Sequence, residues 1–319
     1  MKKLLLILLC LPMIGFGQLT YVPDDNFEFF LEAYGMGNGI ANDDYVTTAN
    51  INSITTLYIA SQSISDLTGI EDFSALTDLD CRNNQLTTLD LSNNPALDTL
   101  VCYQNQLTSI NVGANTSLTH LICSQNQLTT LDVSQNTALT LLDCSENQLT
   151  SIDVSNNPQL LTFWCNYNQI TNLDISNNLQ LIVFQCTGNQ LTCLDISQNT
   201  ILESLQCDNN LLEQLNTKNG NWLTMSVSAS SNNLNCVEVD NIGFASNNWS
   251  FDSFTSISAN CNYINPCNTT SVIQEHTSNK ELFKVTELLG RKIKGKKNQP
   301  LLYIYDDGTV EKRITIDYQ

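Results

Sequence analysis

The chain has 319 residues and a formal net charge of −19, from 32 acidic and 13 basic side chains. Between residues 18 and 279 only Arg82 and Lys218 are basic, against 26 acids, whereas residues 280–319 hold nine basic and six acidic side chains. Nothing in the acidic part can neutralise a row of phosphates, which argues against nucleic-acid binding, and the asymmetry separates two modules with different jobs.

In chain order, Lys2 and Lys3 precede an apolar run from Leu4 to Leu11, and Gly15-Phe16-Gly17 follows. This reads as a secretory signal cut after Gly17, with a run too short to span a bilayer. No later segment is apolar enough to be transmembrane. The expectation is a secreted or outer-surface protein. Residues 18–53 read as an N-terminal cap. Within them PDDNFEFFLEAYG predicts a short helix, with Asp24 or Asp25 capping it, Phe27, Phe30, Leu31 and Tyr34 on one face, and Gly35 as its stop.

A repeat occupies residues 54–222. After an irregular first unit from Ile54, units open at Leu76, Leu97, Leu118, Leu139, Leu160, Leu181 and Leu202, each 21 residues after the last. The pattern is LTxLxCxxNQLTxLDVSxNxA, in which LTxLDVSxN echoes LTxLxCxxNQ. A fixed period in this range predicts a solenoid. The first full coil turns six residues inward: Leu76, Leu79, Cys81, Leu86, Leu89 and Leu91. One coil buries too little to fold alone, so neighbours must stack and the ends need caps. The run Leu118-x-x-Leu121-x-Cys123-x-x-Asn126-x-Leu128 resembles the leucine-rich repeat, in particular the bacterial 21-residue class with a nested half-repeat. The resemblance implies a mostly β or α/β solenoid with parallel strands on at least one face, and a binding role.

Four ladders run along the coils. Cys81, Cys102, Cys123, Cys144, Cys165, Cys186 and Cys207 take an inward position, and a straight column of parallel thiols suits neither disulfides nor a tetrahedral metal, so they read as buried free thiols. Asparagines recur from Asn84 to Asn210, and again from Asn94 to Asn199, to satisfy backbone groups in turns. Asp90, Asp132, Asp153, Asp174 and Asp195 point outward on an expected second strand whose other positions are monotonous. They read as solvated surface, with Asp132, Asp153, Asp174 and Asp195 as the candidates for calcium, the one cofactor considered. On the first strand the outward residues are individual. Val101, Tyr103, His120, Ile122, Leu141, Trp164 and Val183 form an apolar and aromatic patch, the candidate partner-binding surface.

Residues 223–278 read as a closing cap and linker, in which Cys236 and Cys261 can pair and leave Cys267 over. In residues 279–319, Leu288-Leu289-Gly290-Arg291, the strand-like LLYIYDDGTV from Leu301 and the basic ending resemble the C-terminal sorting domains of type IX secretion cargo in Bacteroidota. That resemblance implies a small β-module read by the secretion machinery. With only His120 and His276 as histidines, and no phosphate loop or nucleophile elbow, the chain shows no catalytic constellation. The reading is a non-enzymatic exported protein that binds a protein or glycan through the variable face, possible settings being adhesion or host interaction. Two rivals stand beside it: a matrix protein assembling through its acidic ladder and calcium, and a noncatalytic polysaccharide-binding subunit.

Overall fold

The computed structural model describes residues 17–263 and Cys267, and the backbone of Leu282–Glu287, Pro300–Tyr305 and Val310–Ile314. The expected leader falls almost wholly outside the described residues, as do Leu288-Leu289-Gly290-Arg291 and most of the linker.

The repeat folds as a parallel solenoid. Nine three-residue strands form one sheet: Thr56–Tyr58, Asp78–Asp80, Thr99–Val101, His120–Ile122, Leu141–Asp143, Thr162–Trp164, Val183–Gln185, Ser204–Gln206 and Ser226–Ser228. The register never slips, as in Leu100↔Leu121 and Phe163↔Phe184. Each strand forms because its central residue is apolar and faces the core while its neighbours face out. Leu100, Leu121, Leu142, Phe163 and Phe184 are all 0 % exposed, and Phe163 stacks on Phe184 with centroids 5.5 Å apart.

The expected second strand is absent from the early coils. Between Thr88 and Asp174 that half contributes only an isolated bridge, Asp90↔Asn111. Its turns are closed by side chains instead. The Oδ1 of Asp90, Asp132, Asp153 and Asp174 each accepts the backbone N–H of the serine two residues on, at 2.9 Å. A second parallel sheet starts only at Cys193, from Cys193–Asp195, Gln214–Asn216, Cys236–Glu238 and Ser256–Ser258. The parallel pairing therefore continues beyond residue 222, where the sequence period fails.

At the N-terminal end, helix Asp25–Ala33 covers the first coil. Asp24 caps it by accepting the N–H of Asn26 and Phe27, and its other oxygen accepts from the backbone and hydroxyl of Ser65. One carboxylate thus ties helix to coil, and Phe27 stacks on Phe73. These hydrogen bonds hold the Asp24 pKa below the ordinary aspartate value, although burial opposes them. Tyr34, expected on the packed face, is 70 % exposed.

At the other end a helix the sequence reading lacked, Ile242–Asn248, packs Phe244 between Trp222 and Trp249. Cys236 pairs with Cys261 as expected, but Cys267 is not left over: it bonds Cys193, 74 residues away. Cys193 occupies an outward position that is Thr or Ser in four of the earlier coils, and it is the fourth cysteine outside the ladder and the leader. The Tyr263 hydroxyl closes the second sheet by donating to the Cys236 carbonyl at 2.6 Å while accepting the N–H of Leu215. By itself, the C-terminal unit is a three-stranded antiparallel sheet of Leu282–Glu287, Pro300–Tyr305 and Val310–Ile314.

Candidate functional site

The seven ladder cysteines are free, and every one is 0 % exposed. Burial pushes each thiol up, that of Cys81 to about 12. Cys144 and Cys165 donate weakly to the carbonyls of Trp164 and Gln185 in the next coil. The ladder is packing, not chemistry. Among the described residues no group of three or more histidines, cysteines or acids converges as a metal ligand set. The calcium candidates Asp132, Asp153, Asp174 and Asp195 each accept the N–H two residues on with one oxygen, closing their own turns.

The first sheet is different because its turn is closed from inside. Asn126 accepts the N–H of Leu107 and donates to the carbonyls of Cys102 and Cys123. Asn105, Asn147, Asn168, Asn189 and Asn210 repeat this coil by coil. The turn does not depend on the outward side chains, although Asp80 and Asp143 hook it where they occur, and these side chains line up in columns. One column holds Thr99, His120, Leu141, Thr162 and Val183. The next holds Asp80, Val101, Ile122, Asp143, Trp164 and Gln185.

A groove of about 470 Å³ opens over the middle coils, lined by Tyr103, Ile122, Ser124, Gln125, Asp143, Ser145, Glu146, Trp164, Asn166 and Tyr167. It gathers Tyr103, Ile122 and Trp164 from the expected patch. Val101, His120, Leu141 and Val183 lie on the same sheet but outside the groove. All seven are half-buried rather than openly exposed, since columns in register shield one another. His120 turns its Nδ1 to the Thr119 hydroxyl at 2.8 Å.

The most exposed ring in the groove is one the sequence reading missed. Tyr167 is 59 % exposed and sits in the turn after the strand at φ +52°. The same turn position is left-handed in neighbouring coils, occupied by Gln104, Gln125 and Glu146. A left-handed tyrosine is uncommon and needs support. The next coil supplies it through Gly188, where a Cβ would lie 2.6 Å from the Tyr167 ring. An aromatic residue in a turn column of polar ones, followed one period later by glycine, was the readable signal.

The electrostatics of the groove are one-sided. It holds two carboxylates, Asp143 and Glu146, and no basic residue. Asp143 is 9 % exposed; its Oδ1 accepts the N–H of Ser145 at 3.0 Å, and its Oδ2 has no hydrogen-bond partner among the described residues. The amides beside it are engaged. Asn166 accepts from the N–H of Thr187 and donates to Gln185, and Gln125 donates to Glu146. The indole N–H of Trp164 is buried and finds no acceptor.

No family model matches the chain. Over 74 residues it is 41 % identical to internalin J of Listeria monocytogenes serotype 4b, a stretch that covers 23 % of this chain and 8 % of internalin J. Its fold is similar to the functional domain of InlJ from Listeria monocytogenes, a structure that includes a cysteine ladder. There the identity is 32 % and the TM-score 0.62, over 76 % of this chain and 62 % of that one. The internalin InlF from the same species shares the fold at 21 % identity and a TM-score of 0.56, over 74 % of this chain and 84 % of that one. The chain thus spans less than two thirds of the InlJ structure. The solenoid expected from the 21-residue period is observed, and it has the leucine-rich repeat fold that the motif from Leu118 to Leu128 resembles.

Proposed function

We propose that this is a non-enzymatic, exported leucine-rich repeat protein that binds a protein or glycan partner through the outward residues of its first sheet. The observation that carries the reading is the groove in which Tyr103, Ile122, Trp164 and Tyr167 come together over four coils that are otherwise near-copies. Half-buried aromatic rings in a recess are the side chains that contribute most to binding energy. The similarity to internalins, InlJ above all, supports a surface or host-interaction role. Among the described residues no helix is long and apolar enough to cross a membrane. Residues 279–319 would address the protein to a secretion machine, as their resemblance to type IX sorting domains implies.

The test is capture of partners from envelope and host-surface extracts by the intact protein and by Tyr103→Ala/Trp164→Ala. A partner held by the first and lost by the second supports the groove. Equal capture by both sinks the assignment. Deletion of residues 279–319 should leave the protein inside the cell envelope; normal export without them would remove their proposed role.

A further inference from the structure

The groove's charge has a counterpart three coils away on the same sheet. Asp80 occupies the repeat position of Asp143. It carries a cation of its own chain: Arg82, two residues on, lies 3.6 Å from the Asp80 carboxylate and 5.7 Å from the centre of the Tyr103 ring. It is the one ion pair among the described residues. At Asp143 the residue two positions on is Ser145, so no guanidinium is supplied, although the carboxylate is similarly hooked to its turn and even less exposed. The aromatic wall remains, built from Tyr103, Trp164 and Tyr167. The Asp143 carboxylate is little exposed and has one oxygen hydrogen-bonded and one unpaired among the described residues, so a cation that reaches the unpaired oxygen is favoured.

We infer that this groove takes a cationic side chain, the guanidinium or ammonium group of a basic protein partner, seated against Asp143 among the rings of Tyr103, Trp164 and Tyr167. The inference rests on the variable-face reading and names the chemistry of its partner. Three observations favour it over a neutral sugar. The charged groups of the lining are both carboxylates, Asp143 and Glu146, which a cation can match and a neutral sugar cannot. The amides that would pair with hydroxyls are already engaged, and the Trp164 N–H is closed off. Aromatic faces attract a cation most strongly where water is scarce. The acidic coils around the groove add long-range attraction for a basic surface and repel an acidic one.

The experiment titrates the intact protein with hexa-arginine, hexa-glutamate and chitohexaose by calorimetry at low salt. Hexa-arginine is expected to bind and hexa-glutamate to show no heat. Asp143→Asn, which keeps the acceptor for the Ser145 N–H, should weaken hexa-arginine at least tenfold. Asp132→Asn/Asp153→Asn, which removes two charges from the other half of the coils, should change it less than twofold. Ser145→Arg, which restores the Asp80–Arg82 spacing, should also abolish binding; unchanged urea midpoints would establish that the variants fold. Equal weakening by Asp143→Asn and by the control pair, or none by either, would reduce the effect to bulk charge and overturn the inference. Chitohexaose bound in place of hexa-arginine would overturn it in favour of a glycan. A partner captured from extracts that is lost with Tyr103→Ala/Trp164→Ala but kept by Asp143→Asn would sink this inference and leave the broader reading standing. Equal capture by all variants would sink the broader reading itself.

Discussion

Each coil says nearly the same thing twice, yet its two halves use their residues differently. In the first half the turn is closed by a buried asparagine. Both ends of its amide are occupied, Oδ1 by a backbone N–H of the preceding coil and Nδ2 by carbonyls of two coils. In the second half an inward asparagine is again buried, but only its Nδ2 is used. Asn136 donates to the carbonyls of Val112 and Asn115, and its Oδ1 has no partner, as in Asn94, Asn115, Asn157, Asn178 and Asn199. There an outward residue, the aspartate, completes the turn. The first-half turn therefore closes without its outward side chains, although Asp80 and Asp143 add a hook where they occur, whereas the second-half turn uses one in coil after coil. One face of the solenoid can be individual because its scaffold is internal.

The comparison breaks first where the second half does become a sheet. Cys193 lies in that sheet and closes a 74-residue loop with Cys267. In the loop-entropy account a closure of this length contributes about 4 kcal/mol. Cys193→Ser is expected to lose about that much in urea unfolding and to release the late second-half strands to hydrogen exchange before the first sheet. Simultaneous release of both sheets would show that the halves do not differ in stability.

The two asparagine ladders give the next largest contrast. Asn126→Ala leaves the Leu107 N–H buried with no acceptor, and about 3 kcal/mol is expected from that orphan and the lost bonds. Asn136→Ala orphans nothing comparable. The Val112 carbonyl still accepts from the N–H of Asn115, and the Asn115 carbonyl from that of Leu118. A loss of about 1 kcal/mol is expected there. Equal losses in chemical denaturation would remove the distinction on which the argument for a free variable face depends.

How much of this was legible in the sequence follows from which residues act locally. The period, the inward set and the capping helix were readable because each is a spacing rule: Leu76, Leu79, Cys81, Leu86, Leu89 and Leu91 are all buried, and Asp24 caps as expected. Of the candidate patch, Tyr103, Ile122 and Trp164 meet in the groove. In the sequence Asp143 is one outward residue among many, because burial of its carboxylate depends on neighbours in two other coils, Ile122 and Trp164. Cys193 was hidden by the more conspicuous ladder beside it. The failure to expect a coil-like second half came from alternation: Leu-Asp-Val reads as a strand, but Asp-x-Ser closes a turn through one side-chain bond.

The thiols test how tightly the shared core is closed. Burial and neighbouring charges hold them protonated, Cys81 up to about 12. Native protein at pH 8 should show no reaction of the seven ladder thiols with a thiol reagent, and all should react in denaturant. Fast reaction of any would mean that its coil opens independently of its neighbours.

The smallest effect is the most specific to the second half. Hydrogen bonds from Ser92, N–H first and hydroxyl second, and from Ser155, hydroxyl first and N–H second, hold the Asp90 and Asp153 carboxyls below the usual aspartate value of 3.8. A carboxyl with a depressed folded pKa contributes stability above its unfolded pKa and loses it as pH falls through the folded one. These hooks should thus weaken only below about pH 4, and modestly, since both groups are largely solvated. Asparagine keeps the acceptor and removes the titration, as Asn111 does naturally by taking the N–H of Gly113 at 3.0 Å. Asp90→Asn/Asp153→Asn should therefore leave stability at pH 7 unchanged and flatten its decline in acid. An unchanged decline would assign the acid sensitivity to other carboxylates. A large loss at pH 7 would mean that the charge itself, and not the hydrogen bond, holds the second-half turns.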